Sequence, residues 1–267
     1  MMQQAVVLAA HGSRHPGAMA ALAGFRDRLA AAYPDWRVEI ARTVGRKHGP
    51  ASDFGGVRRV AAVLEALVAD GLRRVVVQSL HVVPGEEYHE MLAALGRYLE
   101  NGGARLAVSV GAPLLSDRDD VDAVAEAVVS GLADRRARGE GLVVMGHGAP
   151  PPGAGFYTAL GERLTRLDPL AHFGTMPRER GAPCPDIERI RAALAASRTS
   201  TVWLRPFFTV AGAHACNDLA GDGPTSWRAI LEAAGIHCRP ALAGLIESRA
   251  FTAVWREHLR RAMDRLG

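Results

Sequence analysis

The sequence predicts an α/β protein built from two doubly wound, Rossmann-like parallel-sheet lobes related by a pseudo-repeat. Three observations carry that prediction. Short β-branched runs end abruptly at Gly or Pro, as buried strands do. Amphipathic stretches with three- and four-residue apolar spacing lie between them, and strand–helix alternation implies parallel βαβ units. Finally, a strand running into His-Gly occurs twice, at His11-Gly12 and His147-Gly148, 136 residues apart.

Taken in order, Val6-Val7-Leu8-Ala9-Ala10 is the first buried strand, and it stops at His11-Gly12-Ser13. Helical spacing follows over 19–32 and 57–70, with Asp70-Gly71 as a glycine stop. Val75–Val83 reads as the second strand and ends at Pro84-Gly85-Glu86-Glu87-Tyr88, which opens a helix over 88–101. A helix over 121–137 closes the first lobe, residues 1–138, because 133–140 is charged and precedes a new strand–His-Gly unit. The second lobe, residues 139–267, starts with Leu142-Val143-Val144-Met145 and turns at Gly146-His147-Gly148. Helices are expected over 156–167, 187–197, 227–234 and 251–266, and Val202–Val210 is a strand that ends at Ala211-Gly212-Ala213-His214. In doubly wound sheets ligands gather beyond the C-terminal strand ends. The repeated motifs are therefore expected to converge on a cleft between the lobes.

The chain of 267 residues is 48% hydrophobic and 22% charged, which excludes a disordered or fibrous protein. No apolar run approaches the ~20 residues that cross a bilayer, and the apolar start lacks the basic segment of a signal peptide, so a cytoplasmic protein is expected. The net charge of +4 rests almost wholly on arginine, Lys47 being the only lysine. These arginines are scattered among alanines at helical spacing rather than gathered with aromatics, which argues against nucleic acid. Cys184, Cys216 and Cys238 form neither a disulfide framework nor a CxxC zinc motif.

His147 and His214, both at strand exits among small residues, are candidate ligands for a divalent metal through neutral imidazole nitrogens. A lone histidine at such a turn is as readily satisfied by a backbone bond; the echo at His11 weighs against that reading. Asn217 and Asp218 either orient the His214 ring or cap the following turn. The Gly- and Pro-rich stretch 174–186 reads as a loop in which Glu179 is a candidate carboxylate ligand or base, or a surface partner of its arginine neighbours. In the first lobe Gly85 permits close backbone approach while Glu86 and Tyr88 line the cleft; helix-dipole preference explains the acidic pair equally well. No GxxxxGK[ST] or well-placed GxGxxG supports nucleotide use. Arg14-His15 resembles a histidine phosphatase only superficially, since Pro16 stands where that chemistry wants glycine.

Together these motifs resemble the long CbiK-type sirohydrochlorin cobaltochelatases of anaerobic cobalamin biosynthesis. The resemblance is carried by Gln78-Ser79-Leu80-His81-Val82-Val83-Pro84-Gly85-Glu86-Glu87-Tyr88, Met145-Gly146-His147-Gly148, Pro185-Asp186-Ile187-Glu188 and the long run from Pro206 to Asp222 that continues to Ser226-Trp227. It implies a class II chelatase fold that inserts Co²⁺ into sirohydrochlorin, or precorrin-2, without ATP and without an organic cofactor. It implies His147, His214 and a glutamate, here Glu179, facing the metal, with His147 and Glu179 catalytic. Substrate contacts are expected from His11, Ser13, Pro84, Gly85, Glu86 and Tyr88, and Arg14 or Arg205 would guide the anionic tetrapyrrole. Membrane and nucleic-acid partners are not expected, while homo-oligomerisation stays open. Iron or nickel insertion on the same fold, and a non-catalytic tetrapyrrole or metal carrier, are the alternatives.

Overall fold

The computed structural model describes residues 4–43, 57–101, 106–176 and 184–267. Its elements, in chain order, are β1 (Gln4–Ala10), α1 (Pro16–Ala32), β2 (Trp36–Arg42), α2 (Val60–Ala69), β3 (Arg74–Ser79), α3 (Glu86–Glu100), β4 (Ala107–Gly111) and α4 (Arg118–Ser130). Then follow β5 (Gly141–Gly146), α5 (Gly153–Leu167), β6 (Ala171–Thr175), α6 (Ile187–Ala196), β7 (Thr201–Phe207), α7 (Trp227–Ala233), β8 (His237–Pro240) and α8 (Arg249–Asp264). No helix among the described residues is long and apolar enough to cross a membrane.

Two four-stranded parallel sheets result, ordered β2-β1-β3-β4 and β6-β5-β7-β8. The two orders are the same permutation, so the pseudo-repeat holds at the level of topology. In each sheet the connection direction reverses between the two central strands, β1 and β3 or β5 and β7. That reversal leaves a crevice beyond their C-terminal ends where ligands bind in such folds.

By contacts the chain divides into 1–116 with 252–267, and 117–251. This division differs from one at 138/139 over α4 and most of α8, while each sheet lies wholly within one unit under either. In the first unit Val75, Val77 and Ala9 pack on Leu64 and Leu67 of α2 and on Met91 and Leu95 of α3. The second unit repeats the plan, with Val143, Met145, Val202 and Leu204 against Ile190 and Leu194 of α6 and Trp227 and Leu231 of α7. Each Val, Leu, Ile or Met among them, fully withdrawn from water, contributes roughly 1.5–3 kcal/mol.

Helix starts are fixed by side chains that satisfy orphan amides. Asp117 accepts from Asp120 N–H in a capping box at α4, Asp186 accepts from Arg189 N–H at α6, and Ser226 from Ala229 N–H at α7. Three expectations shift. The helix expected to run to 137 stops at Ser130, with Gly131 as its cap. Both long apolar runs leave the sheet early, at Ser79 and Phe207, and their remainders form the strand-exit loops. Arg205 does not face solvent: it is 7% exposed, its guanidinium lies 5.1 Å over the Phe251 ring and it donates to the Val128 carbonyl. A buried cation held by the Val128 carbonyl near the end of α4 and by the Phe251 ring is not available to guide an anionic substrate.

Candidate active site

His147 is the first residue past β5, and the backbone there is shaped for it. Gly146 pairs with Phe207 across the sheet, and a Cβ on it would come within 2.8 Å of the Phe173 ring. Gly148 has φ +80°, a left-handed conformation that a side chain would strain. The chain therefore turns immediately and leaves the imidazole half-buried at the strand end.

His214 arrives from β7 by a different route. After Phe207 the chain leaves the sheet over 208–213, held by Leu245 N–H to the Phe208 carbonyl at 2.9 Å and Ile246 N–H to the Thr209 carbonyl at 3.0 Å. Gly244 makes that approach possible, since a Cβ there would meet the Val210 backbone at 2.6 Å. A single π-helical turn, His214–Leu219, then presents His214. Wide turns of this kind recur at functional sites.

The outcome is two imidazoles with centroids 5.2 Å apart and planes inclined by 70°. Phe208 packs edge-on to His147 at 6.4 Å and tilted on His214 at 6.1 Å, an apolar wall beside the pair. An imidazole nitrogen sits about 2.0–2.1 Å from a zinc-sized divalent ion, so two rings sharing one tetrahedral ion have centres about 5 Å apart. The spacing suits a shared ion. Among the described residues no cluster of three or more His, Cys, Asp or Glu could hold a metal. Glu179, the expected third donor, lies outside the described residues. Pro185 lies against the sheet, its carbonyl accepting from Thr175 N–H at 3.1 Å, over Gly174. Cys184 is buried beside the Thr158 hydroxyl and burial pushes its thiol pKa up, which makes it a packing group.

The first unit carries a related constellation of different chemistry. Gly12 has φ +92°, the counterpart of Gly148, and His11 precedes it as His147 does. His11 Nδ1 lies 2.8 Å from Glu87 Oε2; that hydrogen bond raises its pKa, burial opposing and the carboxylate charge assisting. Gly85 donates back to the Val83 carbonyl at 2.8 Å, as Gly212 does to Val210 at 3.1 Å. Two residues after that shared turn come Glu87 in one unit and His214 in the other. Glu86 is exposed at the start of α3, and Tyr88 is half-buried with its hydroxyl pKa raised by burial. Ser13 accepts from the His15 amide at 3.1 Å, which shapes the entry to α1. Pro84 and Gly85 form the turn into α3, and Arg14 is exposed.

Sequence reasoning missed His81 and Glu87 here. His81 is 9% exposed and wedged between the Thr43 hydroxyl at Nε2 and the Ser79 hydroxyl at Nδ1, both at 2.9 Å. Desolvation lowers its pKa to about 4, with nearby Glu87 raising it and His11 lowering it further. A base that protonates less readily when folded adds stability above its ordinary 6.5, and that stability drains away as pH falls toward 4. His11, with a raised pKa, contributes in the opposite sense, present below 6.5 and fading as pH rises through its folded value, and solvent screens it. The expected result is an acid-side loss of up to about 3 kcal/mol attributable to His81. Melting temperatures measured from pH 7 to pH 4 for wild type and His81→Gln check it; equal slopes for the two proteins would rule it out.

The signal that could have revealed Glu87 is the Gly-x-acceptor spacing shared with Gly212-x-His214. The profile of the cobalt chelatase (CbiK) family matches residues 4–264. The chain is 34% identical over 267 residues to the sirohydrochlorin cobaltochelatase CbiKC of Nitratidesulfovibrio vulgaris Hildenborough, covering all of this chain and 93% of that protein. It is 32% identical over 201 residues to the sirohydrochlorin cobaltochelatase of Salmonella typhimurium, covering 75% of this chain and 73% of that one. Among solved structures, SirB from Bacillus subtilis with Fe³⁺ aligns over 98% of this chain and 96% of its own with a TM-score of 0.70 at 17% identity, a likeness of fold.

Proposed function

This chain belongs to the cobalt chelatase (CbiK) family, and from that premise we propose how it acts as a sirohydrochlorin cobaltochelatase. It inserts Co²⁺ into sirohydrochlorin, the reaction named for its relatives, and does so without ATP. The observation that carries the assignment of residues is the His147–His214 pair, 5.2 Å between ring centres at the strand-exit crevice of the second sheet.

Insertion requires that a hydrated ion lose water and that the macrocycle lose two pyrrole protons. Neutral imidazoles suit both tasks in turn, since the single lone pair that holds the ion is freed to accept a pyrrole proton as the ion passes to the macrocycle. His147 is the principal base and one ligand; His214 is the second ligand; Glu179 supplies a third donor or a proton relay. A sphere left incomplete lets the ion pass on to the macrocycle, whereas a closed four-ligand cage would retain it. In the first unit His11, Ser13, Pro84, Gly85, Glu86 and Tyr88 contact the tetrapyrrole. Imidazole and carboxylate donors do not choose among Co²⁺, Fe²⁺ and Ni²⁺ by affinity order alone, so metal preference is read kinetically.

The test is an anaerobic insertion assay of the purified chain with sirohydrochlorin and each of Co²⁺, Fe²⁺ and Ni²⁺, comparing kcat/KM. Many turnovers per protein, fastest with Co²⁺, are expected. A single stoichiometric burst would instead mark a tetrapyrrole or metal carrier.

A further inference from the structure

His214 is held from behind. Asp218 follows it by four residues on the same π-turn, and its Oδ2 lies 2.6 Å from His214 Nδ1. An ionised carboxylate only accepts, so Nδ1 carries the proton and Nε2 keeps its lone pair. The wide turn that brings the two side chains together is itself pinned. Ala220 N–H closes it on the Ala215 carbonyl at 3.3 Å. Gly221 lies so near Asn217 that a Cβ would stand 2.3 Å from its carbonyl oxygen. The Ser226 hydroxyl donates to the Gly221 carbonyl at 2.7 Å. Asp218 bonds the ring rather than a backbone amide, so it does not cap the turn. Both side chains are about half exposed, 52% and 50%, and an exposed pair of this kind adds little to stability. Its effect therefore lies in orientation.

We propose that Asp218 is a positioning residue, fixing the tautomer and aim of His214 so that Nε2 faces the incoming divalent ion. The proposal rests on the reading of His214 as a ligand. A carboxylate behind a ligating imidazole also strengthens it as a donor, and removing such a partner typically costs 10–100-fold in metal affinity or activity.

Three variants of the full chain separate the possibilities: Asp218→Ala, Asp218→Asn and His214→Ala, with the double variant Asp218→Ala/His214→Ala. Co²⁺ binding without tetrapyrrole is followed by the visible absorption of the protein-bound ion, and insertion by the dependence of kcat and KM on Co²⁺ and on sirohydrochlorin separately. Asp218→Ala is expected to weaken Co²⁺ binding and kcat/KM for Co²⁺ by about 10–100-fold with the KM for sirohydrochlorin unchanged. Asp218→Asn, whose amide oxygen still accepts from Nδ1–H, is expected to recover most of that loss. The double variant should be no worse than His214→Ala. Unchanged Co²⁺ binding in Asp218→Ala, or an equal further loss when it is added to His214→Ala, would overturn the positioning role and leave the ligand assignment standing. Unchanged Co²⁺ binding in His214→Ala would overturn the ligand assignment and the positioning role with it. Should Asp218→Ala fail to fold, Asp218→Asn carries the same test: normal folding with a full loss of binding would overturn hydrogen-bonded positioning.

Discussion

Replacing His147 by alanine is expected to lower kcat for Co²⁺ insertion by about 10²–10⁴-fold, the usual cost of losing a positioned base. The reason is local. Gly146 and Gly148 leave the backbone no freedom to supply another side chain at the end of β5, and Phe208 is apolar. His214 remains, so Co²⁺ still binds, more weakly, while deprotonation of the macrocycle slows. Single-turnover insertion at saturating Co²⁺ checks this. Turnover within threefold of wild type would remove His147 from the chemistry. Folding should be unaffected, because the ring is half-buried at a strand exit and is not part of the core.

Phe207→Ala addresses the platform under the site. Phe207 is fully buried, 5.5 Å from Phe173 and 6.5 Å from Tyr157, with Phe251 at 6.4 Å, while Tyr157 stacks on Phe173 at 5.5 Å. Removing such a ring leaves a cavity and costs about 3–5 kcal/mol, or a fall of about 10 °C in Tm for a protein of this size. Because Phe207 pairs with Gly146 across the sheet, the loosened strand ends would also misplace His147. Calorimetry and the insertion assay at a temperature where the variant is folded measure the two effects. A Tm shift under about 2 °C would show that the aromatic cluster closes over the gap.

How legible the fold was depended on position within each sheet. The four strands read from sequence, β1, β3, β5 and β7, are the central ones. The four that went unread, β2, β4, β6 and β8, are all edges. A central strand of a parallel sheet is buried on both faces and reads as an unbroken apolar run, as Val75-Val76-Val77 does. Edge strands such as Trp36-Arg37-Val38-Glu39-Ile40 and His237-Cys238-Arg239-Pro240 mix charge with apolar residues because half their surface meets solvent. Apolarity also overran the true ends at Ser79 and Phe207, since the strand-exit loops remain partly buried, their carbonyls taken by loop amides such as Leu114 on His81 and Leu245 on Phe208. For the site, repetition was the useful signal: His147 and His214 stood out through it. His81 and Glu87 did not, because the two units place different chemistries on one backbone plan, and type-matching passes over a glutamate that occupies the place of a histidine.

The pairing of α8 with the first unit has a consequence for biosynthesis. Residues 252–267 group with 1–116, and Arg74 and Arg265 tie that helix region to the first unit through the Leu266 and Val110 carbonyls. A nascent chain leaving the ribosome therefore translates the whole of 117–251 before the last piece of its first unit exists. Vectorial folding would complete the later unit first, and the earlier one would wait for its closing helix until 252–267 had been made.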